Sequence, residues 1–575
     1  MKLDEVLLAL GAYGRYQVLM YFVISIFDNF PSIIHMSVMP FLGYEPNHHC
    51  KVPEGANKSL LIPVHKENGD IRIDKCNKYE YVNGTYSNKT VPCGKDGWTY
   101  ERDPIRSSVV TEWNLVCDKN VLPEMSQMLF NIGVMIGAML CGFLSDKFGR
   151  KKTFIAALII QAIVGTGAGF APNFYLFVAL RIIVGACEQG INITGFIMAT
   201  ELFPPKQRTI FAVGHEFFWA IGGAFLPILA YFIRDWRPLQ IAISAPTILG
   251  IFLWWVIPES VVWLIGKGRL KEAEAILEKA AKFNKRPIPP NCLTDNSASK
   301  AMTAPDDIED VDDETAHRTY TVIDMFRTPN MRKITFCVCG VWVINTMVYY
   351  GLSYNTPNLY GDMYLNFLLG QFIEIPSVII TMILLYKIGR RWPLCLFHVF
   401  GGLVCIIAPF LPTHTSGGTN ITWIVVTLAL LGKGAINGSF TIIYMYGPEI
   451  YPTVLRNTGA GLASSAGRLG GILYPYVNYL SKVNNPVAKQ LPLIVFGALS
   501  VAGGFLALPL PETRNKPLPR TVEDVENYDE FCKRHLARLK EFEMKEHDGT
   551  ENGKNQVGKL LGMICKQHLN YYEPS

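Results

Sequence analysis

The chain has 575 residues, half of them in the set AVILMFWYC and only 18% charged, with a formal net charge of +5. A soluble protein of this size needs more charge to cover its surface, so the composition argues for a membrane protein and against a soluble enzyme. The small positive excess fits the Lys/Arg bias of cytoplasmic loops and gives no ground for nucleic-acid binding.

The first residues, 1–17, form a mixed-charge amphipathic segment, not a cleavable signal peptide, and are expected at the cytoplasmic interface. Apolar windows long enough to cross a hydrocarbon core follow near 18–43, 123–145, 153–170, 173–200, 208–233 and 238–257. A second set lies near 333–356, 362–386, 393–412, 421–447, 456–480 and 488–509. The expectation is an all-α membrane protein of 12 helices, six plus six, with both termini cytoplasmic.

The loop 44–122 differs from the rest of the chain. It holds Cys50, Cys76, Cys93 and Cys117 together with the glycosylation sequons at Asn57, Asn83 and Asn88. Disulfides and N-glycans both need an oxidising lumen, which places this loop outside. Four cysteines allow three pairings, and spacing does not choose among them.

Between the second and third windows the turn GFLSDKFGRKK (142–152) carries Lys147, Arg150, Lys151 and Lys152, and LLYKIGRR (384–391) echoes it with Lys387, Arg390 and Arg391. Basic short loops face the cytoplasm. Two such hairpins in like orientation imply two parallel halves. A polar segment, 258–332, joins them; GRLKEAEAILEKAAKF (268–283) has the period of a surface helix, and DDIEDVDDE (306–314) has too little apolar content to pack. The tail 510–575 is charged, with a helix expected over 530–546.

Ionisable groups inside spans point to a pathway or a pairing. They are Asp28, His35, Arg181, Glu188, His215, Glu216, Glu374, Lys433 and Arg468. Arg181 and Glu188 are candidates for an internal ion pair, and His35 and His215 read as hydrogen-bonded core residues before proton carriers. Glu374 and Arg468 stand mid-span and are the leading substrate-binding charges, with Glu216 and Lys433 as further candidates. Trp342 and Tyr349, seven residues apart, share one helical face and offer aromatic surface to an organic ammonium. Asp146 and Arg150 in the first turn, Arg390 in the second, and Glu201, Glu449 and Arg456 at helix ends read as gating or structural charges.

Six stretches together resemble the organic cation, carnitine and organic anion transporter family of the major facilitator superfamily. They are TEWNLVCDK (111–119), GFLSDKFGRKK (142–152), PESVVWLIGKGR (258–269), YYGLSYNTPNL (349–359), GPEIYPTVLRNTGAG (447–461) and LPETRNKPLPRTVEDVE (510–526). The resemblance implies the major facilitator fold and alternating access, with no cofactor and no chemistry on the substrate. Carnitine-type and anion-type members have Arg at the place of Arg468, whereas cation-only members tend to have an acid. The resemblance therefore implies a plasma-membrane carrier of organic cations and zwitterions, with a carboxylate on Arg468 and a quaternary ammonium against aromatics near Glu374 or Glu216. Two departures stand out: Tyr386 replaces an Asp of the family pattern, and PESVVWL has Val261 and Val262 in place of a Pro-Arg pair. An organic anion exchanger and a non-transporting ligand sensor are the alternatives. Uniport, exchange and coupling to sodium or protons all stay open, and the stable partners implied are the small substrate and the lipid bilayer.

Overall fold

A computed structural model describes residues 3–52, 61–67, 70–82, 85–94, 97–288, 293, 321–356, 359–412, 414, 419–482, 488–514 and 516–537. In a bilayer every backbone amide must find its partner within the segment, so long apolar runs can only become helices. Among the described residues ten helices are long and apolar enough to span: Arg15–Leu42, Cys117–Phe148, Arg150–Ala168, Phe174–Glu201, Ile210–Phe232, Trp236–Val256, Pro329–Asn355, Met363–Lys387, Arg391–Phe410 and Thr422–Ile450. Two more complete the set of twelve. Arg456–Tyr479 is long enough but diluted by Gly, Ser and Arg468, and Leu491–Ala507 is apolar but only 17 residues long. We refer to these as the first to twelfth spans.

Within the first half the fourth span packs against the first, second and third. Within the second half the seventh packs against the eleventh and twelfth, and the ninth against the tenth and twelfth. The halves meet where the second span lies along the eleventh and the fifth along the eighth. The eighth span breaks at Ile373, between Met363–Phe372 and Glu374–Lys387. Pro376 lacks the N–H that would bond back to the carbonyl of Phe372, which is reason for a break there.

The cysteine loop is stapled as Cys50–Cys93 and Cys76–Cys117, which selects one of the three pairings. Its described part forms three two-stranded antiparallel sheets, one of them pairing His48–Cys50 with Trp98–Tyr100. Glu112 fixes the loop to the sixth span by accepting from Trp236 Nε1 at 2.7 Å and from Arg237 Nε at 3.1 Å. Asn57 and Asn83 lie outside the described residues, and Asn88 falls on the strand Thr85–Pro92. The linker helix runs Leu270–Asn284 and packs its apolar face on the first residues of the chain. The acidic stretch 306–314 and the end of the expected tail helix lie outside the described residues.

Candidate functional site

Two knots of charge stand at the basic end of the molecule, one in each half. In the first, Arg150 pairs with Glu201, Ser260 Oγ donates to Glu201 Oε2 at 2.5 Å, and Glu259 accepts from the backbone N–H groups of Arg150 and Lys151 at 3.0 and 2.9 Å. In the second, Arg390 pairs with Glu449 at 3.2 Å, Thr513 Oγ1 donates to Glu449 Oε2 at 2.6 Å, and Glu512 accepts from the N–H groups of Arg390 and Arg391 at 2.9 and 3.0 Å. Each glutamate caps the N-terminus of a spanning helix, where free N–H groups and the positive end of the dipole favour a carboxylate. Gly149 at φ 110° and Gly389 at φ 124° make the turn before each helix, and a Cβ on either would collide with the capping carboxylate.

This arrangement revises the roles read from sequence. The carboxylate of Asp146 is exposed and makes no hydrogen bond or ion pair among the described residues; only its backbone carbonyl is used, by Trp263 Nε1 at 2.9 Å. The helix-capping acid is Glu259, which carries no intramembrane signal because it lies beyond the sixth span. Arg456 donates to Thr453 Oγ1 at 3.3 Å and pairs with no acid among the described residues.

Midway along the molecule the second half presents a chain of polar contacts. Trp219 Nε1, from the fifth span, donates to Tyr349 Oη at 3.1 Å, and Tyr349 donates to Glu374 Oε1 at 2.9 Å. Lys433 Nζ lies 3.0 Å from the same oxygen and donates to the Gly370 carbonyl at 2.7 Å. Glu374 and Lys433 are 2% and 1% exposed. The two charges therefore neutralise each other, whereas the sequence presented them as separate candidates on different spans. The break after Phe372 explains part of this, since it frees the Gly370 carbonyl region to meet the lysine.

Arg468 is half-buried and has no hydrogen-bond or ion-pair partner among the described residues. Its electrostatic neighbours are Glu188 across the interface and the phenols of Tyr350 and Tyr444. Around it the aromatic rings form a continuous set: Trp342 to Tyr444 at 4.5 Å, Tyr444 to Phe440 at 5.2 Å, Phe440 to Tyr349 at 5.5 Å, Tyr349 to Tyr350 at 5.1 Å and Tyr350 to Tyr474 at 6.1 Å. Phe440, Tyr444, Tyr474 and Trp219 escaped the sequence reading. A signal for two of them existed: Lys433, Asn437, Phe440 and Tyr444 follow the 4-3-4 spacing of one helical face.

The first half faces this set with Glu216, half-buried, and Glu188 and Asp28, both buried. Arg181 does not pair with Glu188. It donates to Gln127 Oε1 at 2.9 Å and lies 4.6 Å from the ring centre of Phe130. His35 approaches Ser244 Oγ at 3.4 Å, as expected of a core histidine.

Besides the Trp219–Tyr349 hydrogen bond midway along the molecule, contacts that join the halves lie toward the cysteine loop. Lys482 sits between Glu45 at 3.2 Å and Glu124 at 3.3 Å, Tyr479 donates to Asn120 Oδ1 at 2.9 Å, and Asn131 donates to the Gly471 carbonyl at 2.5 Å. Burial disfavours the charge on Lys482, but the two carboxylates outweigh it and raise its pKa above the ordinary lysine value. Each charge knot at the opposite end is internal to its own half.

Residues 73–523 match the sugar (and other) transporter family. The chain is 38% identical to the organic cation transporter protein of Drosophila melanogaster, covering 92% of this chain and 95% of that one. It is 33% identical to the human organic cation/carnitine transporter 2, covering 91% and 93%. Among solved structures, the xylose transporter XylE from E. coli in an inward-open conformation aligns with a TM-score of 0.60 at 16% identity, covering 89% of this chain and 98% of that one. By these matches the chain belongs to the organic cation and carnitine transporter family of the major facilitator superfamily.

Proposed function

We propose that this protein is a plasma-membrane carrier of organic cations and zwitterions, moving them by alternating access between its two halves. The observation that carries this reading is the guanidinium of Arg468, which has no hydrogen-bond or ion-pair partner among the described residues and stands beside an aromatic wall within the electrostatic reach of Glu188. A planar guanidinium suits a carboxylate through two parallel hydrogen bonds, and aromatic faces suit a quaternary ammonium. A zwitterion such as carnitine offers both groups at once. The relatives named for organic cations and carnitine support the same class.

The basic end and both termini belong in the cytoplasm, and the disulfide loop outside. On that orientation the joined halves near the loop and the separate knots at the basic end correspond to an inward-facing carrier. Lys482 with Glu45 and Glu124 then serves as the outer closure, and Arg150–Glu201 and Arg390–Glu449 hold the inner ends of each half in shape. Glu374 and Lys433 act as a neutral pair that positions Tyr349, so the substrate ammonium relies on the aromatics and on Glu216 more than on Glu374.

The test is uptake of radiolabelled carnitine and tetraethylammonium side by side, with and without sodium, in cells expressing the chain. Saturable uptake of both is expected. Arg468→Ala should reduce carnitine uptake about 10- to 100-fold, the worth of a charge-assisted hydrogen bond, and leave tetraethylammonium within about threefold. Surface-expressed protein that takes up neither compound would overturn the reading in favour of a ligand sensor. The exchange of organic anions is the second reading, favoured by the pairing of Glu374, which leaves Arg468 mid-span without a paired acid among the described residues. Uptake of a labelled dicarboxylate in place of either cation would select it.

A further inference from the structure

We infer that His48, Cys76 and Cys117 form a latent binding site for a soft divalent metal ion of the zinc class, opened when a small extracellular thiol reduces the Cys76–Cys117 disulfide. The binding is independent of the carrier reading; its effect on transport rests on that reading.

A ring nitrogen of His48 and the sulfurs of Cys76 and Cys117 all lie within 4.8 Å of one another. His48 is 6% exposed, and its Nδ1 stands 3.1 Å from the Pro46 carbonyl oxygen. A carbonyl oxygen only accepts, so Nδ1 carries the hydrogen and, in the neutral ring, Nε2 carries the lone pair. Nε2 is buried and has no hydrogen-bond partner among the described residues. A buried acceptor without a donor calls for an explanation. A histidine whose Nδ1–H is held by a backbone carbonyl, with Nε2 left open, has the tautomer and orientation in which histidines ligate metals. Strand pairing fixes the backbone here, placing Tyr100 opposite His48 with ring centres 5.9 Å apart.

The two disulfides of the loop differ in access. Cys50 and Cys93 are 0% and 1% exposed, whereas Cys76 and Cys117 are half-buried. An external thiolate therefore reaches the second bridge first. It attacks one sulfur, the S–S bond breaks, and the other sulfur leaves as a thiolate. A second external thiol then displaces the first as a disulfide. Two external thiols are oxidised to one disulfide, and Cys76 and Cys117 gain two electrons and the two protons. A zinc ion next binds the two thiolates and Nε2 and releases two protons to water. The two thiolates cancel its charge, and water or a further thiol takes the fourth position. Tetrahedral geometry with Zn–S bonds of about 2.3 Å sets the sulfurs roughly 3.8 Å apart, so the loop opens little. Glu45 and Lys75, of opposite sign, are the charges felt by His48, beside the titratable ring of His49.

The ligands sit on the segments that carry the outer contacts. Glu45 precedes His48 and Glu124 follows Cys117, and both hold Lys482; Asn120, just after Cys117, accepts from Tyr479. A metal bridging His48 to Cys117 ties together the first-half side of these contacts and slows their separation.

The test takes the purified full chain, mildly reduced and freed of reductant, and titrates it with cobalt(II) as a spectroscopic probe. One cobalt per chain is expected, with thiolate-to-cobalt charge-transfer absorption and the visible bands of a tetrahedral site, displaced by zinc and absent from unreduced protein. His48→Ala should weaken binding at least about tenfold and change the visible bands. Reduced parent protein without these bands, or bands unchanged in His48→Ala, overturns the inference. The span cysteines are competing thiols, so the double variant Cys76→Ser with Cys117→Ser should lose the charge-transfer band, and its persistence counts against the site. Should that variant fail to fold, alkylation of the parent read by mass spectrometry replaces it: reduction should expose Cys76 and Cys117, and zinc should protect both. Release of Cys50 and Cys93 first, or no protection, overturns the inference. In vesicles, zinc after reduction should slow tetraethylammonium uptake at least about threefold, reversed by a chelator. Metal binding with unchanged uptake overturns the link to the outer contacts alone. Untreated parent protein that takes up neither tetraethylammonium nor carnitine overturns the carrier reading, and the cobalt titration still decides the site.

Discussion

The two halves of this protein are alike at their basic ends and unlike in the middle. At the ends each half builds the same knot: Arg150, Glu201, Glu259 and Ser260 in one, Arg390, Glu449, Glu512 and Thr513 in the other. In the middle the first half pairs only Asp28 of the acids Asp28, Glu188 and Glu216, with His215, while the second half neutralises Glu374 with Lys433 and leaves Arg468 without an ion pair, all among the described residues. The repeated part holds helix ends at a fixed geometry. The divergent part sets which charges stand in the middle of the molecule.

The comparison breaks most sharply at the neutral pair. Glu374→Gln leaves Lys433 buried without its counter-charge and is expected to cost about 3–5 kcal/mol, read as loss of thermal stability in detergent and of surface protein. The double variant Glu374→Gln with Lys433→Met should recover most of that loss, giving a coupling well beyond additivity. Additive effects would mean that the pair is not the unit described here.

The matched knots predict matched effects. Glu259→Gln and Glu512→Gln each weaken a charged cap on two backbone N–H groups and should each destabilise by about 1–2 kcal/mol, equal within about 0.5 kcal/mol. A large inequality in melting temperature between the two would show that the halves do not share the load. Trp219→Phe removes the hydrogen bond that crosses from the fifth span to Tyr349, worth about 1 kcal/mol, and should shift the balance of inward- and outward-facing states about fivefold. Accessibility of single cysteines placed at the two ends of the cavity would read that shift.

Asp146→Asn is expected to have the smallest effect on stability, within about 0.5 kcal/mol, because the carboxylate has no partner among the described residues in this state. A change in transport rate at unchanged stability would place its contact in the opposite state and would restore the latch role that the sequence suggested.

Much of the architecture is legible in the amino-acid sequence. Span length, the basic turns and the segregation of cysteines and sequons follow from composition and local pattern, since a bilayer imposes one rule on every residue of a span. The paired charges Arg150–Glu201 and Arg390–Glu449 are visible because they lie in repeated motifs. Their partners Glu259 and Glu512 are less visible, being acids in loops, where charge is ordinary. Phe440 and Tyr444 are hidden among the many aromatics of membrane helices, and only their spacing from Lys433 on one face marks them.

The sequence by itself determined that this protein spans the membrane as two duplicated halves, with a disulfide loop on one side and basic turns on the other, because hydropathy, charge bias and repetition act locally. The tertiary structure alone decided which charges meet. Cys50 joins Cys93, Glu374 meets Lys433, Asp28 meets His215 and Arg468 meets no side-chain partner among the described residues, because each of these relations depends on distances between spans far apart in the chain. A buried charge is defined by its neighbour, and that neighbour is chosen by packing.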